Sequence, residues 1–272
     1  MTPHKLRWLP TGMIGMSAML SYLDRLLLSA AAPALMAEFH LNNEQYGQLA
    51  AVFSIPYALG APFAGLFIDR LGLRVGVSIV VAAWSLAAAS TGLAQTYGML
   101  IAFRVALGLA ESGGLPATGK TYALYLPPSE VAVGTAATQL GISLGGILAP
   151  LVFAALAPIY GWRSTFLVCG VVGLVWVPSW LATLKAVPAG PAAEKKPEPI
   201  GGLLKDSRFY GIVVTNMFIM TLYSVWTNWT TLYFVQVHHM TAIEANRKFA
   251  WLPPVFATLG GAVGAWLVMF WI

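Results

Sequence analysis

The chain has 272 residues, of which 58% are hydrophobic and only 9% are Asp, Glu, Lys or Arg. Soluble domains carry about 25% charged residues, so this composition excludes a water-soluble protein and predicts an all-α polytopic membrane protein. The formal net charge of +5 fits an excess of Lys and Arg in cytoplasmic loops, and we expect no nucleic-acid partner.

Apolar segments long enough to cross a bilayer predict eight transmembrane helices. They lie at about 9–37, 43–67, 75–94, 97–125, 131–157, 162–184, 209–237 and 246–271. The stretch 185–207 holds four Pro, three Gly and four Lys, which is typical of a polar linker. We therefore predict a six-helix unit over 1–184, a cytoplasmic linker over 185–207, and a second part over 208–272 with helices seven and eight.

The distribution of Lys and Arg predicts the orientation, because cytoplasmic loops carry the excess of basic residues. With the N-terminus inside, three basic residues fall in outer loops: Arg163, Arg247 and Lys248. Ten fall in inner loops: Lys5, Arg7, Arg70, Arg74, Lys120, Lys185, Lys195, Lys196, Lys205 and Arg208. The count predicts a cytoplasmic N-terminus.

Four charged residues lie deep inside predicted spans, more than five residues from either end: Asp24, Arg25, Arg104 and Glu111. Arg104 and Glu111 are seven residues apart, two helical turns, so they share one face about 10 Å apart along the axis. A charge at membrane depth costs about 2.5–3.5 kcal/mol on insertion scales. We therefore expect this face to meet the first helix across a polar interior. Asp24 and Arg25 are neighbours that point about 100° apart, and a purely structural ion pair remains an alternative.

Helix five carries Gly141 and Gly145 four residues apart. Small residues at this spacing let two helices approach closely in a membrane. The pattern predicts tight packing of this helix against a neighbour, with a gating hinge as the alternative.

A short charged segment joins helices two and three, with Gly65, Asp69, Arg70, Gly72 and Arg74 in the sequence GLFIDRLGLR. A plain cytoplasmic anchor would also carry basic residues here. However, the spacing of Gly, Asp and Arg is similar to the signature loop of the major facilitator superfamily. One departure is a leucine at 73, where the family often has a first Arg.

Further motifs narrow the resemblance. The segments YLDR, RVALGLAESGGLPATGK and YGWRSTF resemble the anion:cation symporter family, and within it the bacterial hexuronate and galactonate proton symporters. That family implies two six-helix halves, each built from inverted three-helix repeats. The chain ends after its eighth helix, so we expect it to be a fragment or a truncated product that lacks about four helices of the family's second half.

The resemblance implies proton-coupled symport of an organic anion, most simply a sugar acid such as a hexuronate or galactonate, by alternating access in a bacterial cytoplasmic (inner) membrane. It implies that Arg25 and Arg104 bind the substrate carboxylate, that Asp24 and Glu111 carry protons, and that Tyr22 and Tyr57 line the cavity. The proton is the coupling ion, and no other cofactor, metal or catalytic residue is expected. The alternative is a truncated, non-transporting sensor or anion-binding remnant, and a membrane enzyme is disfavoured because no reactive constellation is visible.

Overall fold

The computed structural model describes residues 6–187 and 206–271. Most of the predicted linker lies outside the described residues. So do four of the basic residues in the charge count: Lys5, Lys195, Lys196 and Lys205. Within those ranges the chain is helical, with no strand, so the all-α prediction is confirmed. The α-helices are α1 Trp8–Phe39, α2 Asn43–Ala51, α3 Ser54–Thr91, α4 Tyr97–Glu111, α5 Gly114–Tyr125, α6 Val131–Ala186, α7 Ser207–His238, α8 Ala242–Lys248 and α9 Leu252–Trp271.

Three helices predicted as continuous are broken, at 52–53, 112–113 and 249–251. The predictions of unbroken helices over 43–67, 97–125 and 246–271 are wrong in this respect. Each break contains or adjoins the residue four positions before a proline: Pro56, Pro116 and Pro253. A proline ring clashes with the carbonyl four residues earlier and cannot donate the hydrogen bond that carbonyl would accept. The breaks follow from these prolines.

Both α3 and α6 contain two membrane helices joined at a glycine. Gly72 has φ 77° and ψ 162°, and Gly161 has φ 78° and ψ 163°. Residues with a Cβ rarely adopt this left-handed backbone, so glycine permits each sharp turn. The turns separate predicted helices two and three, and five and six.

Four ranges are long and apolar enough to cross a membrane: Asn43–Thr91, Tyr97–Tyr125, Pro128–Ala186 and Ser207–His238. The first and third each contain one of the glycine turns, so the four ranges hold six of the eight predicted helices. The other two correspond to α1, of 32 residues, and α9, of 20 residues. At 1.5 Å per residue both have the length of a bilayer core, about 30 Å or more.

The first arm of α6 packs closely on α1. A Cβ added to Gly141 would collide with the carbonyl oxygen of Gly15, and one added to Gly145 with that of Met19. These two glycines therefore let the helix backbones touch, and the predicted role in packing is confirmed.

The two ends of the six-helix unit are tied by different ion pairs. At the end that carries Gly72, called here the signature-loop end, Lys120 pairs with Asp69 and Arg7 pairs with Glu130. At the opposite end, Arg163 pairs with Glu38 at 2.6 Å, and the Trp162 indole donates to the same carboxylate at 2.7 Å.

Helices α7 and α8 dock on α1 and α2 through hydrogen bonds nearer the opposite end. Ser29 donates to the carbonyl of Thr227 at 2.7 Å, and Tyr46 donates to the carbonyl of Asn228 at 2.7 Å. Asn246, which is fully buried, donates to the carbonyl of Ala30 at 2.9 Å. We call these three bonds the docking contacts. They join α7 and α8 to α1 and α2, between the charged residues of α1 and the end opposite the signature-loop end.

Candidate functional site

An ion pair joins α1 to α4 inside the helix bundle. Arg25 donates through Nε to Oε2 of Glu111 at 2.6 Å, and Ser21 donates to the same oxygen at 2.8 Å. The Glu111 side chain is fully buried, whereas that of Arg25 is 19% exposed. The predicted meeting of the charged clusters on helices one and four is confirmed, with Arg25 and Glu111 as the paired residues.

One face of α4 carries Arg104, Gly108 and Glu111. A Cβ at Gly108 would collide with the carbonyl oxygen of Phe53 and lie 3.0 Å from Cγ of Pro56. Because Gly108 has no side chain, α4 packs directly against the break between α2 and α3. Arg104 and Glu111 are both buried, so the predicted interior position of this face is confirmed.

Arg104 lacks a carboxylate partner. Among the described residues it forms no ion pair, and its Nε has no hydrogen-bond partner. Its guanidinium carbon lies 5.3 Å from the centre of the Phe53 ring. A buried cation is costly unless it is paired or hydrogen-bonded, so Arg104 is held by packing and by the field of the nearby charges.

Asp24 is buried and its side chain does not join the ion pair of Arg25. Oδ2 of Asp24 has no hydrogen-bond partner within the described part of the chain. The adjacent positions on α1 diverge by about 100°, as the sequence predicted. Asp24 interacts electrostatically with Glu111 and Arg104, so the four charged residues form one coupled group although a single ion pair is made.

Three aromatic rings surround the guanidinium of Arg25. Its central carbon lies 5.0 Å from the Tyr22 ring, 4.5 Å from the Phe53 ring and 4.4 Å from the Tyr57 ring. We call these rings the aromatic cage. A cation over an aromatic face is attracted by the negative face of the ring. The structure therefore brings the predicted Tyr22 and Tyr57 to Arg25, and adds Phe53.

Three residues near Arg25 escaped the sequence analysis: Ser21, Phe53 and Tyr223. Ser21 lies four residues before Arg25 and Phe53 four residues before Tyr57, a spacing that puts each pair on one helix face. This four-residue spacing is a sequence signal that could have identified Ser21 and Phe53 as neighbours of the site. Tyr223 of α7 interacts electrostatically with Tyr22 and Arg25, a contact that depends on how α7 docks and has no local sequence signal.

The signature-loop residues fasten α3 to α5. Asp69 pairs with Lys120, which also donates to the carbonyl of Ile68 at 3.3 Å. Gly65 lies close to the ring of Pro116, with 3.7 Å to a Cβ built on it. Arg70 and Arg74 are exposed at the surface of this end. The loop thus forms the predicted charged turn, and its acidic residue Asp69 pairs with Lys120 of α5.

The arrangement can hold an anion at the exposed side of Arg25. Glu111 engages Nε, so the Nη edge of the planar fork is not used by the ion pair. A guanidinium edge of this kind matches a carboxylate with two hydrogen bonds. With all four charged groups ionised, the cluster is neutral, and protonation of either acid leaves it positive.

Comparison with known proteins identifies a family of membrane transporters. The family model of the Major Facilitator Superfamily matches residues 14–271. A galacturonate transporter of Dickeya chrysanthemi is 30% identical over 285 residues, which cover 97% of this chain and 82% of that protein. A hexuronate transporter of Escherichia coli K12 is 27% identical, and the match covers 96% of this chain and 65% of the relative.

The fold is shared with a solved bacterial homologue of the human lysosomal transporter Spinster, in an inward-facing and unoccupied conformation. Its TM-score is 0.79 at 21% identity, with 98% of this chain and 63% of that chain covered. The chain thus spans about two thirds of the hexuronate transporter and of the solved structure. The transporter relatives confirm a multi-pass membrane protein that is not an enzyme. The chain belongs to the Major Facilitator Superfamily.

Proposed function

We propose that the protein moves an organic anion together with protons, by alternating access, and that the anion is a sugar acid such as a hexuronate or galactonate. The names of the two transporter relatives support the substrate class. The observation that carries the mechanism is the buried ion pair between Arg25 and Glu111. It joins a carboxylate binder and a proton acceptor in one contact, which is what coupling requires.

The first step that this pair supports is competition for Arg25. When Glu111 is ionised it holds the guanidinium, and when Glu111 is protonated the attraction is lost. Substrate carboxylate and Glu111 would then exchange on the same cation, so each ligand changes the affinity for the other. Tyr22 and Tyr57 would keep the guanidinium in place during the exchange, because the cation–π attraction does not depend on the protonation of Glu111.

Asp24 is the second proton site in this proposal. Its Oδ2 is buried without a hydrogen-bond partner among the described residues, and a buried carboxylate that lacks hydrogen bonds is costly to keep ionised. Uptake of a proton removes that cost and also removes one of the two carboxylate charges that act on Arg104, the other being Glu111. The positive potential of the site then rises, which favours an anion. Buried Arg104 contributes to this positive potential without touching the anion, while the partly exposed guanidinium of Arg25 binds the carboxylate.

We infer a cytoplasmic N-terminus in a bacterial inner membrane, with the signature-loop end on the cytoplasmic side. The support is the excess of basic residues at that end. A reporter enzyme that is active only in the cytoplasm, fused within 188–205, is expected to be active. Activity of a periplasm-specific reporter at the same place would contradict the orientation.

The proposal is tested by reconstituting the chain in liposomes and measuring uptake of radiolabelled galacturonate with and without an inward proton gradient. Binding to the purified chain is measured in parallel, so that a binding protein without transport is recognised. Arg25→Lys keeps the charge but loses the planar fork, and we expect binding to weaken about tenfold or more, the loss of roughly one charge-assisted hydrogen bond.

Arg208→Lys is the matched control, because Arg208 is 88% exposed and pairs only locally with Asp206. It is expected to bind and transport as the parent does. Binding without gradient-driven uptake would favour the sensor or remnant instead of a symporter. Equal binding by Arg25→Lys and the parent would remove Arg25 from the site.

A further inference from the structure

Phe53 occupies a particular position at the break between α2 and α3. Pro56, which interrupts the helix, follows three residues later in the chain, and Gly108 brings α4 against the carbonyl of Phe53. The Phe53 side chain is 6% exposed and its ring stacks on that of Tyr57, with 5.4 Å between ring centres. The backbone of Phe53 is therefore held against α4, and its buried ring is held against Tyr57.

The Phe53 ring contacts both membrane-embedded arginines. Its centre lies 4.5 Å from the guanidinium carbon of Arg25 and 5.3 Å from that of Arg104. Among the described residues it is the one ring within cation–π range of both. Two like charges repel each other, and an aromatic ring between them offers an attractive contact to each.

This ring has a consequence for the shape of the site. Two arginines can bind one carboxylate, or one carboxylate each, only if both guanidinium groups reach the ligand. Arg25 has an exposed side-chain fraction of 19%, whereas Arg104 is 3% exposed and lies against the Phe53 ring. A ligand that approaches Arg25 thus meets one accessible guanidinium, because the guanidinium of Arg104 is buried.

We propose that Phe53 is a specificity-determining residue that restricts the site to one carboxylate group by shielding Arg104 from the ligand. The proposal rests on the proposed function, since it names the ligand class of the same site. A sugar acid with a single carboxylate satisfies Arg25. The second carboxylate of a dicarboxylate sugar acid with the same carbon skeleton finds no accessible cation and must still be desolvated.

Two substitutions separate the ring's volume from its charge interaction. Phe53→Ala opens the space beside Arg104, whereas Phe53→Leu fills most of that space with an apolar side chain that has no π-face. Phe63→Ala is the matched control, because Phe63 lies on the adjoining helix α3 and is 72% exposed. Thermal unfolding of each purified variant establishes that it is folded.

Binding of D-galacturonate and of galactarate to the purified chain is measured by calorimetry. We expect the parent to prefer galacturonate, and Phe53→Ala to shift the affinity ratio at least tenfold toward galactarate. Phe53→Leu is expected to weaken galacturonate binding about 2- to 30-fold, the loss of one cation–π contact, without reversing the preference. Phe63→Ala is expected to leave both affinities unchanged.

A second readout does not depend on sugar-acid binding. Phenylglyoxal modifies accessible arginines, and mass spectrometry reports the extent at Arg25 and Arg104 separately. We expect Arg104 to be protected in the parent and in Phe53→Leu, and modified in Phe53→Ala. If the parent binds neither acid, the proposed function fails, and this readout still decides whether Phe53 shields Arg104.

An unchanged affinity ratio in folded Phe53→Ala would overturn the specificity role. Equal modification of Arg104 in the parent and in Phe53→Ala would overturn the shielding. If Phe53→Ala does not fold, undiminished galacturonate binding by Phe53→Leu would overturn the cation–π contact on which the proposal depends.

Discussion

Replacing Glu111 by Gln tests whether this residue carries the coupling proton or only balances charge. The amide copies the shape and the neutrality of the protonated acid. Oε2 of Glu111 accepts two hydrogen bonds, from Arg25 and Ser21, and the amide oxygen can accept both. Oε1 has no hydrogen-bond partner among the described residues, so the amide nitrogen displaces no existing bond.

The size of the stability loss follows from this geometry. Hydrogen bonds to charged groups contribute about 1.5–3 kcal/mol and neutral ones about 0.5–1.5 kcal/mol. Weakening two such bonds should lower the free energy of unfolding by about 1–3 kcal/mol. Glu111→Leu, which removes the acceptor and leaves Arg25 without an anionic partner, should cost about 3–5 kcal/mol, the range for a broken buried pair. Thermal unfolding in detergent measures the difference between the two variants.

Transport assays then separate the two roles of Glu111. If it carries the coupling proton, Glu111→Gln should exchange labelled for unlabelled galacturonate across liposome membranes, because exchange needs no net proton movement. Accumulation driven by an inward proton gradient should be lost. A folded Glu111→Gln protein that accumulates substrate as the parent does would refute the reasoning and leave Asp24 as the candidate proton carrier.

Three further changes test the scaffold around the site. Gly145→Ala should destabilise the protein by about 1–3 kcal/mol, since its Cβ would collide with the carbonyl of Met19, whereas Gly12→Ala, with nothing within 4 Å of its Cβ, should be neutral in the same melting experiment. Gly72→Ala should cost about 1–2 kcal/mol because of its positive φ, and a melting temperature equal to the parent's would contradict this. Asn246→Ala removes a docking contact and should loosen the packing of α8 on α1. A cysteine placed at Ser29 should then react faster with a membrane-impermeant thiol reagent, and an unchanged rate would argue against a role for the Asn246 bond in holding α8 on α1.

Much of the fold follows from hydropathy, since runs of apolar residues cross a bilayer only as helices. The helix breaks were accessible too, because each lies about four residues before a proline, but the rule is not sufficient. Pro150, Pro158 and Pro178 lie inside α6 without interrupting it. In a membrane bundle, neighbouring groups can satisfy the freed carbonyls, and which prolines break a helix depends on packing that a single sequence does not reveal.

The site was predictable as a set of residues but not as a set of contacts. Charges at membrane depth identify Arg25, Arg104 and Glu111 without any structure. Their spacing on α4 gives Arg104 and Glu111 one face, yet it is Arg25 that bonds to Glu111. The choice between the two arginines depends on the rotation of α1 against α4 and on Phe53, which enters from the break between α2 and α3. The rotation of one helix relative to another cannot be read from the residue pattern of either helix alone.

The two glycine turns bear on how the chain enters the membrane. Gly72 and Gly161 adopt nearly the same backbone conformation at opposite ends of the bundle, and each is followed two residues later by an Arg. In a fold built of inverted three-helix repeats, equivalent turns lie on opposite sides of the membrane, so one of these two arginines lies on the translocated side. Under the proposed orientation this is Arg163, whose charge is balanced there by Glu38 at 2.6 Å. The acidic residue at the end of α1 thus neutralises Arg163 in the folded protein, at an end of the bundle where cytoplasmic basic residues are not expected.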